Sequence, residues 1–219
     1  SEERLVYGSK ATPYLHRQEE LVDYLNQSLQ MSLLAASFYD RVFLRRVTEY
    51  LLRYEPFWEG DIIDIGCGNG ILSCFLAQSH PDSYVTGLDL SSNAVAVAEE
   101  LAQSLEIENI CFECSDKPRQ RACGTLFSCR TVHENVAWRP LREEAVGAAL
   151  SAKEQAKRHE GYARELSAFV RPQGYLISVE RYEDDSAYAG LTDALKRQGF
   201  CQVKGTHVQF SCKNGDETA

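Results

Sequence analysis

The stretch Asp61–Gly70, DIIDIGCGNG, decides the fold. Its first half is a short apolar run carrying two acids, Asp61 and Asp64, and its second half places glycines at 66, 68 and 70. An apolar run of this length bounded by glycine reads as a buried strand. Glycines at its carboxyl end let backbone come close to a nucleotide. Downstream the periodicity alternates: ILSCFLAQ (71–78) as helix, SYVTGLDL (83–90) as strand, AVAVAEELAQSL (94–105) as helix and NICFECS (109–115) as strand. Strands that alternate with helices imply a parallel sheet with crossover helices on both faces, an α/β doubly wound architecture.

The rhythm resumes with the strand GTLFSC (124–129), a long helical stretch over about 143–169, and the strand YLISVE (175–180). A last helix over about 186–198 leads through Gly199 into FCQVKG (200–205) and HVQFSC (207–212). The short glycine-containing turn between those two predicts an antiparallel hairpin. Ahead of the first strand, apolar residues at helical spacing predict one helix from Leu15 to about Leu29 and a second from Leu33 to Tyr54.

At 219 residues, 44% hydrophobic and 25% charged, the chain has the composition of one globular domain with a full core. The sequence contains no apolar run of about eighteen residues and no basic start followed by an apolar segment, so neither a membrane span nor a signal peptide is expected. The formal charge of −9 disfavours sequence-blind attraction to nucleic acid. One basic-leaning segment, Arg139–Arg171, interleaves its cations with acids and reads as a solvated helix face. The eight cysteines lie mostly in apolar runs, where a free thiol behaves as a small hydrophobe, so a reducing, cytoplasmic location is expected. Cys111 and Cys114 form C-x-x-C within a strand, where residues three apart point to opposite faces; no metal site is expected there.

Ligands of an open parallel sheet bind beyond the carboxyl ends of its strands. The first strand ends in Gly66-Cys67-Gly68-Asn69-Gly70, and the second ends in Asp89, a carboxylate placed to accept both hydroxyls of a ribose. The plainer role for Asp89 is to cap the helix that opens at Ser91 and Ser92. Two nucleotides compete for the loop. A dinucleotide needs G-x-G-x-x-G, so that a helix amino terminus receives the pyrophosphate. This loop is G-x-G-x-G with Asp64 beside it, and an acid there repels a pyrophosphate but suits a ligand bearing an ammonium and a sulfonium, S-adenosylmethionine.

DIIDIGCGNG followed by GLDLS resembles the first two motifs of the class I S-adenosylmethionine-dependent methyltransferases. The resemblance runs from about Asp61 to Cys212. It implies a Rossmann-like sheet of seven strands in the order 3-2-1-4-5-7-6 with strand 7 antiparallel, residues 1–57 as a helical cap, and residues 58–219 as the cofactor-binding methyltransferase domain. It further implies that Asp64 and the loop Gly66, Cys67, Gly68 and Gly70 line the methionine part of the cofactor, that Asp89 and Leu90 hold ribose and adenine, that Ser115 and Asp116 meet the adenine amino group, and that Arg130 touches the cofactor. The product would be S-adenosylhomocysteine. RACGTLFSCR lacks the aspartate with which the family's fourth strand often opens, and RPQGYLISVE carries Gln173 where a glycine often stands.

Methyl transfer is an in-line displacement on an activated sulfonium, so the protein aligns an acceptor and, for poorer nucleophiles, takes its proton. Residues after the fourth strand, CRTVHEN, offer His133 as the base, with Glu134 beside it as a second. The competing role for His133 is packing or capping, and for Arg130 a surface ion pair. Tyr7, Tyr14, Phe38 and Tyr39 are aromatics of the cap that either line an acceptor pocket or form core, and Trp138 lies in a stretch that forms another wall. No N-P-P-Y or D-P-P-Y pattern, no Pro-Cys pair and no catechol-type metal triad is legible. By exclusion the acceptor is expected to be a small molecule, with RNA or protein methylation, or a non-catalytic cofactor-binding module, as alternatives.

Overall fold

The computed structural model describes residues 21–119, 122–131, 152–180 and 185–210. Strand β1 (Ile62–Ile65) is the middle of a five-stranded sheet in the order β3-β2-β1-β4-β5, with β2 at Val85–Asp89, β3 at Ile110–Cys114, β4 at Cys123–Cys129 and β5 at Val170–Val179. Every pairing is parallel. This is the Rossmann-like α/β architecture expected. The chain runs outward from β1 to β3 and then returns across β1 to β4, so strand order reverses between β1 and β4 and the crevice at their carboxyl ends is the topological switch point.

The two isoleucines that open β1 show why the run is continuously apolar. Ile62 joins Val47, Leu51, Trp58, Leu76 and Phe127 on one face, while Ile63 joins Leu126, Tyr162, Leu166 and Leu191 on the other. Helices cover both faces, and a strand buried on both sides has no polar side to alternate with. Full burial of side chains such as Leu51, Leu76 and Phe127 contributes about 1.5–3 kcal/mol each. The covering helices are α1 (Leu29–Tyr39), α2 (Arg41–Arg53), α3 (Ile71–Ser79), α4 (Ser92–Ser104), α5 (Ala152–Phe169) and α6 (Asp185–Arg197).

Four sequence expectations change. The first front helix is helical over 21–25 and gives way to a turn at 26–28, because Ser28 accepts the Met31 N–H and starts α1 as its cap. The second is not continuous: Asp40 leaves helical geometry at φ −118° and ψ 5°, ends α1 by donating its N–H to the Ala36 carbonyl, and precedes α2. The strand foreseen over 175–180 begins earlier, since β5 starts at Val170 and runs through RPQG; a register shift between Cys123 and Thr125 absorbs the extra residues, with Gln173 at φ 66°. The described part of the foreseen hairpin, 200–210, forms no strand, so the described sheet has five strands and not seven. A turn closed by Thr206 N–H on the Val203 carbonyl stands there, and hydroxyls of Tyr54 and Tyr50 at the end of α2 donate to the carbonyls of Gly205 and Thr206.

Candidate functional site

The glycine loop is held open by left-handed backbone. Gly66, Gly68 and Gly70 have φ of 69°, 54° and 75°, a region that L side chains rarely adopt. Two of the three are also closed to any side chain: a Cβ at Gly66 would stand 2.6 Å from the Thr131 Cγ2, and one at Gly70 2.6 Å from the Ala98 Cβ. Gly68 differs, since no heavy atom lies within 4 Å of where its Cβ would be. Backbone is therefore bare toward open space at the centre of the loop, which is the cradle a close-approaching ligand requires. The amides of Gly66 and Cys67 donate to the Leu88 carbonyl, which fixes the loop to the end of β2, and Gly70 caps α3.

Asp89 completes this arrangement from 21 residues away. Its Oδ2 accepts the Gly68 N–H at 2.9 Å and its Oδ1 accepts the Ser91 N–H at 2.9 Å. The helix-capping role weighed for Asp89 falls to Ser91, whose hydroxyl accepts the Ala94 N–H at the start of α4. Asp89 instead ties the loop to the end of β2, and each carboxylate oxygen keeps lone-pair capacity for a further donor. Leu90, next in sequence, is an exposed apolar side chain, 61% accessible, at the carboxyl edge of the sheet. Ser115 follows β3, donates its N–H to the Asp89 carbonyl, and its hydroxyl donates to the Lys117 carbonyl and accepts the Lys117 N–H; Asp116 is half-buried beside it. Thus Gly68, Asp89, Leu90, Ser115 and Asp116 are gathered along the carboxyl ends of β1, β2 and β3.

Asp64 sits below the loop, 2% exposed, with its Oδ2 accepting the Ser73 hydroxyl of α3. Burial pushes its carboxyl up to about 7, the charge of Asp89 adds to the rise, and the Ser73 hydroxyl opposes it. Burial, followed by the nearby Asp64, likewise raises the thiols of Cys67 and Cys129, which makes both poor nucleophiles. The seven cysteines among the described residues are all unbridged, and among those residues no cluster of His, Cys, Asp and Glu suits a metal ion. Among the described residues no helix is long and apolar enough to cross a membrane.

The front segment is fastened across the loop. Asp23 accepts the Ser91 hydroxyl at 2.9 Å, and Asn69 of the loop donates to the Ser32 hydroxyl, which in turn donates to Asn26. Leu29 packs with Cys67, Val95 and Ala98 beneath these bonds. Arg130, expected at the cofactor, directs its guanidinium elsewhere: it pairs with Asp40 at 2.8 Å and lies 3.5 Å over the Phe43 ring. That is the ion pair weighed as its alternative. Phe38 is 74% exposed, and His133, Glu134, Tyr7, Tyr14 and Trp138 lie outside the described residues.

Sequence reading missed the polar cluster at the ends of β4 and β5. Ser128 donates to the Glu180 Oε1 at 2.5 Å, Ser178 to the same oxygen at 3.2 Å, and Thr131 lies 2.6 Å from the hydroxyls of both Ser128 and Tyr162. The only trace in sequence is the i, i+2 spacing of Ser178 and Glu180, which puts both on one face of the strand.

Comparison with known proteins falls on the same residues. Residues 59–118 match a family described as a methyltransferase domain. The chain is 37% identical over 137 residues to a tRNA (guanine-N(7)-)-methyltransferase of Rubrobacter xylanophilus, covering 63% of this chain and 57% of that protein. It is 33% identical over 184 residues to a release factor glutamine methyltransferase of Yersinia pestis, covering 80% of this chain and 65% of the relative. The chain therefore spans less than two thirds of the length of either. Among solved structures it is similar to the PH0226 protein of Pyrococcus horikoshii, with a TM-score of 0.48, 21% identity, and coverage of 65% of this chain and 61% of that one. The matched residues 59–118 hold β1, the glycine loop, β2 with Asp89, and β3, so the part of the chain that carries the cradle is similar to a methyltransferase domain.

Proposed function

We propose that the whole protein transfers a methyl group from S-adenosylmethionine to a small-molecule acceptor. The observation that carries the donor assignment is the 2.9 Å bond from the Gly68 N–H to the Asp89 carboxylate, which brings a bare glycine cradle and a ribose-binding acid together. Asp64 with Gly66, Cys67, Gly68 and Gly70 would hold the methionine end, Asp89 and Leu90 the ribose and adenine, and Ser115 with Asp116 the adenine amino group. The donor supplies an activated methyl on a sulfonium. Asp64 is suited to its cationic end, since a positive ligand nearby favours the ionised carboxylate that burial disfavours. His133 would take the acceptor's proton, with Glu134 beside it.

The small-molecule reading rests on the acidic balance of the chain, formal net charge −9, which disfavours sequence-blind attraction to nucleic acid. A second reading, an RNA or protein acceptor, is favoured by the named activities of the two sequence relatives. Calorimetry with S-adenosylmethionine, S-adenosylhomocysteine and NAD tests the donor: binding of the adenosyl ligands without NAD is expected, and NAD binding without them refutes the assignment. Labelled methyl transfer to total tRNA but to no small molecule would shift the acceptor to the second reading.

A further inference from the structure

Resting on the donor assignment above, we infer that Ser32 is a positioning residue for the donor: acting through Asn69, it sets the glycine loop for the methionine end of S-adenosylmethionine. The juxtaposition is a directed relay. The Asn69 amide donates from Nδ2 to the Ser32 hydroxyl at 2.9 Å, that hydroxyl donates to the Asn26 Oδ1 at 2.9 Å, and the Asn26 amide donates to the Val22 carbonyl at 2.9 Å. The Ser32 hydroxyl is thus used as donor and acceptor at once. Ser32 is 3% exposed, and a hydroxyl buried on the mostly apolar α1 costs free energy unless it is paired. Ser37 of the same helix turns its hydroxyl back onto the Leu34 carbonyl, one turn away. Ser32 instead reaches a loop residue 37 positions later in the chain.

Asn69 stands between Gly68 and Gly70, so a bond that holds its side chain holds the loop. Its Oδ1 accepts the Ile71 N–H at 3.4 Å, at the start of α3, while its Nδ2 is engaged on α1. With both ends of the amide in use, the side chain has few rotamers left to it. The residue before it is held from another side, where the Gly68 N–H meets the Asp89 carboxylate. Consecutive loop residues are therefore gripped by two different elements, the end of β2 and the face of α1. Glycine does little to fix its own backbone, so the shape of the loop rests on such outside bonds.

The front segment reaches the donor site at two places with separate consequences. Asp23 accepts the Ser91 hydroxyl beside Asp89, on the ribose side, and Ser32 meets the loop on the methionine side. Leu29 packs with Cys67, Val95 and Ala98 between them. Removing the Ser32 hydroxyl leaves the segment docked through Leu29 and Asp23 and releases Asn69. A loop-positioning role then predicts a loss confined to the methionine end, whereas a role in stability alone moves both ends together or neither. Coupling of this kind is reciprocal, so a donor that needs the loop held in turn holds α1.

The test is calorimetry of the full chain with S-adenosylhomocysteine and with adenosine, alongside amide hydrogen exchange. Ser32→Ala should weaken S-adenosylhomocysteine binding about fivefold or more, as leaving the Asn69 amide unpaired requires, with adenosine affinity changed by less than about twofold. Asn69→Ala should bring the same loss, and adding Ser32→Ala to it should cost less than about twofold more, because the two residues act in series. In the unaltered protein, S-adenosylhomocysteine should slow amide exchange across residues 29–36 about fivefold or more, a measurement that needs no variant. Unchanged S-adenosylhomocysteine affinity in Ser32→Ala, equal losses for both ligands, additive losses in the double variant, or exchange that the ligand leaves within about twofold would each overturn the inference. In those cases intact S-adenosylhomocysteine binding by the unaltered protein leaves the donor assignment standing. Absence of that binding removes the assignment itself.

Discussion

Asp64→Asn is the substitution whose effect the structure quantifies best. The carboxyl is fully buried and titrates near 7 in the folded chain against an ordinary value of 3.8, a rise of about 3 units. At 1.36 kcal/mol per unit this amounts to about 4 kcal/mol of coupling between protonation and folding. The sign follows from proton counts. Below about pH 4 both folded and unfolded chains hold the proton, and the contribution is present in full. Between about pH 4 and 7 the unfolded chain has released it while the folded chain has not, so stability falls as pH rises; above about 7 both are ionised and the fall stops. Asparagine does not titrate and still offers Ser73 an oxygen. Urea unfolding of both proteins at pH 5, 6, 7 and 8 isolates the effect, because every other titrating group is common to both. Relative to the unaltered protein, Asp64→Asn should gain about 2 kcal/mol between pH 5 and pH 7, with little change from 7 to 8. A difference that stays flat within about 0.5 kcal/mol across that range would show that Asp64 titrates normally, and the picture of a buried acid waiting for a cationic ligand would fail.

Asp89→Ala should weaken S-adenosylhomocysteine binding by about 1–3 kcal/mol, or about 5- to 150-fold by calorimetry, and unchanged affinity would refute its ribose assignment. Gly66→Ala meets both a left-handed backbone and the Thr131 methyl, so a loss of about 2–4 kcal/mol in urea unfolding is expected; adding Thr131→Ser, which removes that methyl, should recover part of it, and no recovery would contradict the contact. The half-exposed Arg130–Asp40 pair should show a double-mutant coupling of about 1 kcal/mol or less, and Arg130→Ala should leave donor affinity intact; a loss beyond threefold would return Arg130 to the cofactor. For His133→Ala, a base role predicts turnover down about 100-fold or more with donor affinity unchanged, whereas a fall in thermal midpoint with turnover retained would assign it to packing.

The glycine loop and the strands around it were legible because they are local. Within 61–118 the strand, the loop, the helix and the next acid follow one another, and the positive φ values of the loop fall on Gly66, Gly68 and Gly70, which the sequence displays. Even Asp64 announced itself, although its bond to Ser73 was not foreseen. What escaped was decided by partners distant in sequence. Asp40 breaks the front helix at the point where it meets Arg130, 90 residues later, and no helix propensity at 33–54 records that ion pair. The turn at 203–206 meets hydroxyls of Tyr50 and Tyr54 about 150 residues earlier, so a segment that reads as a hairpin in isolation finds other hydrogen-bond partners. Glu180 illustrates the same point for chemistry. A glutamate after an apolar strand looks like an ordinary exposed end, and it becomes a held carboxylate only because Ser128, 52 positions before it, and Ser178 share its face of adjacent strands. A donor common to a whole family is bound by short, contiguous motifs. An acceptor particular to one member is met by side chains that only the finished fold brings together, which is why the experiment on His133, and not further reading of the glycine loop, bears on the acceptor.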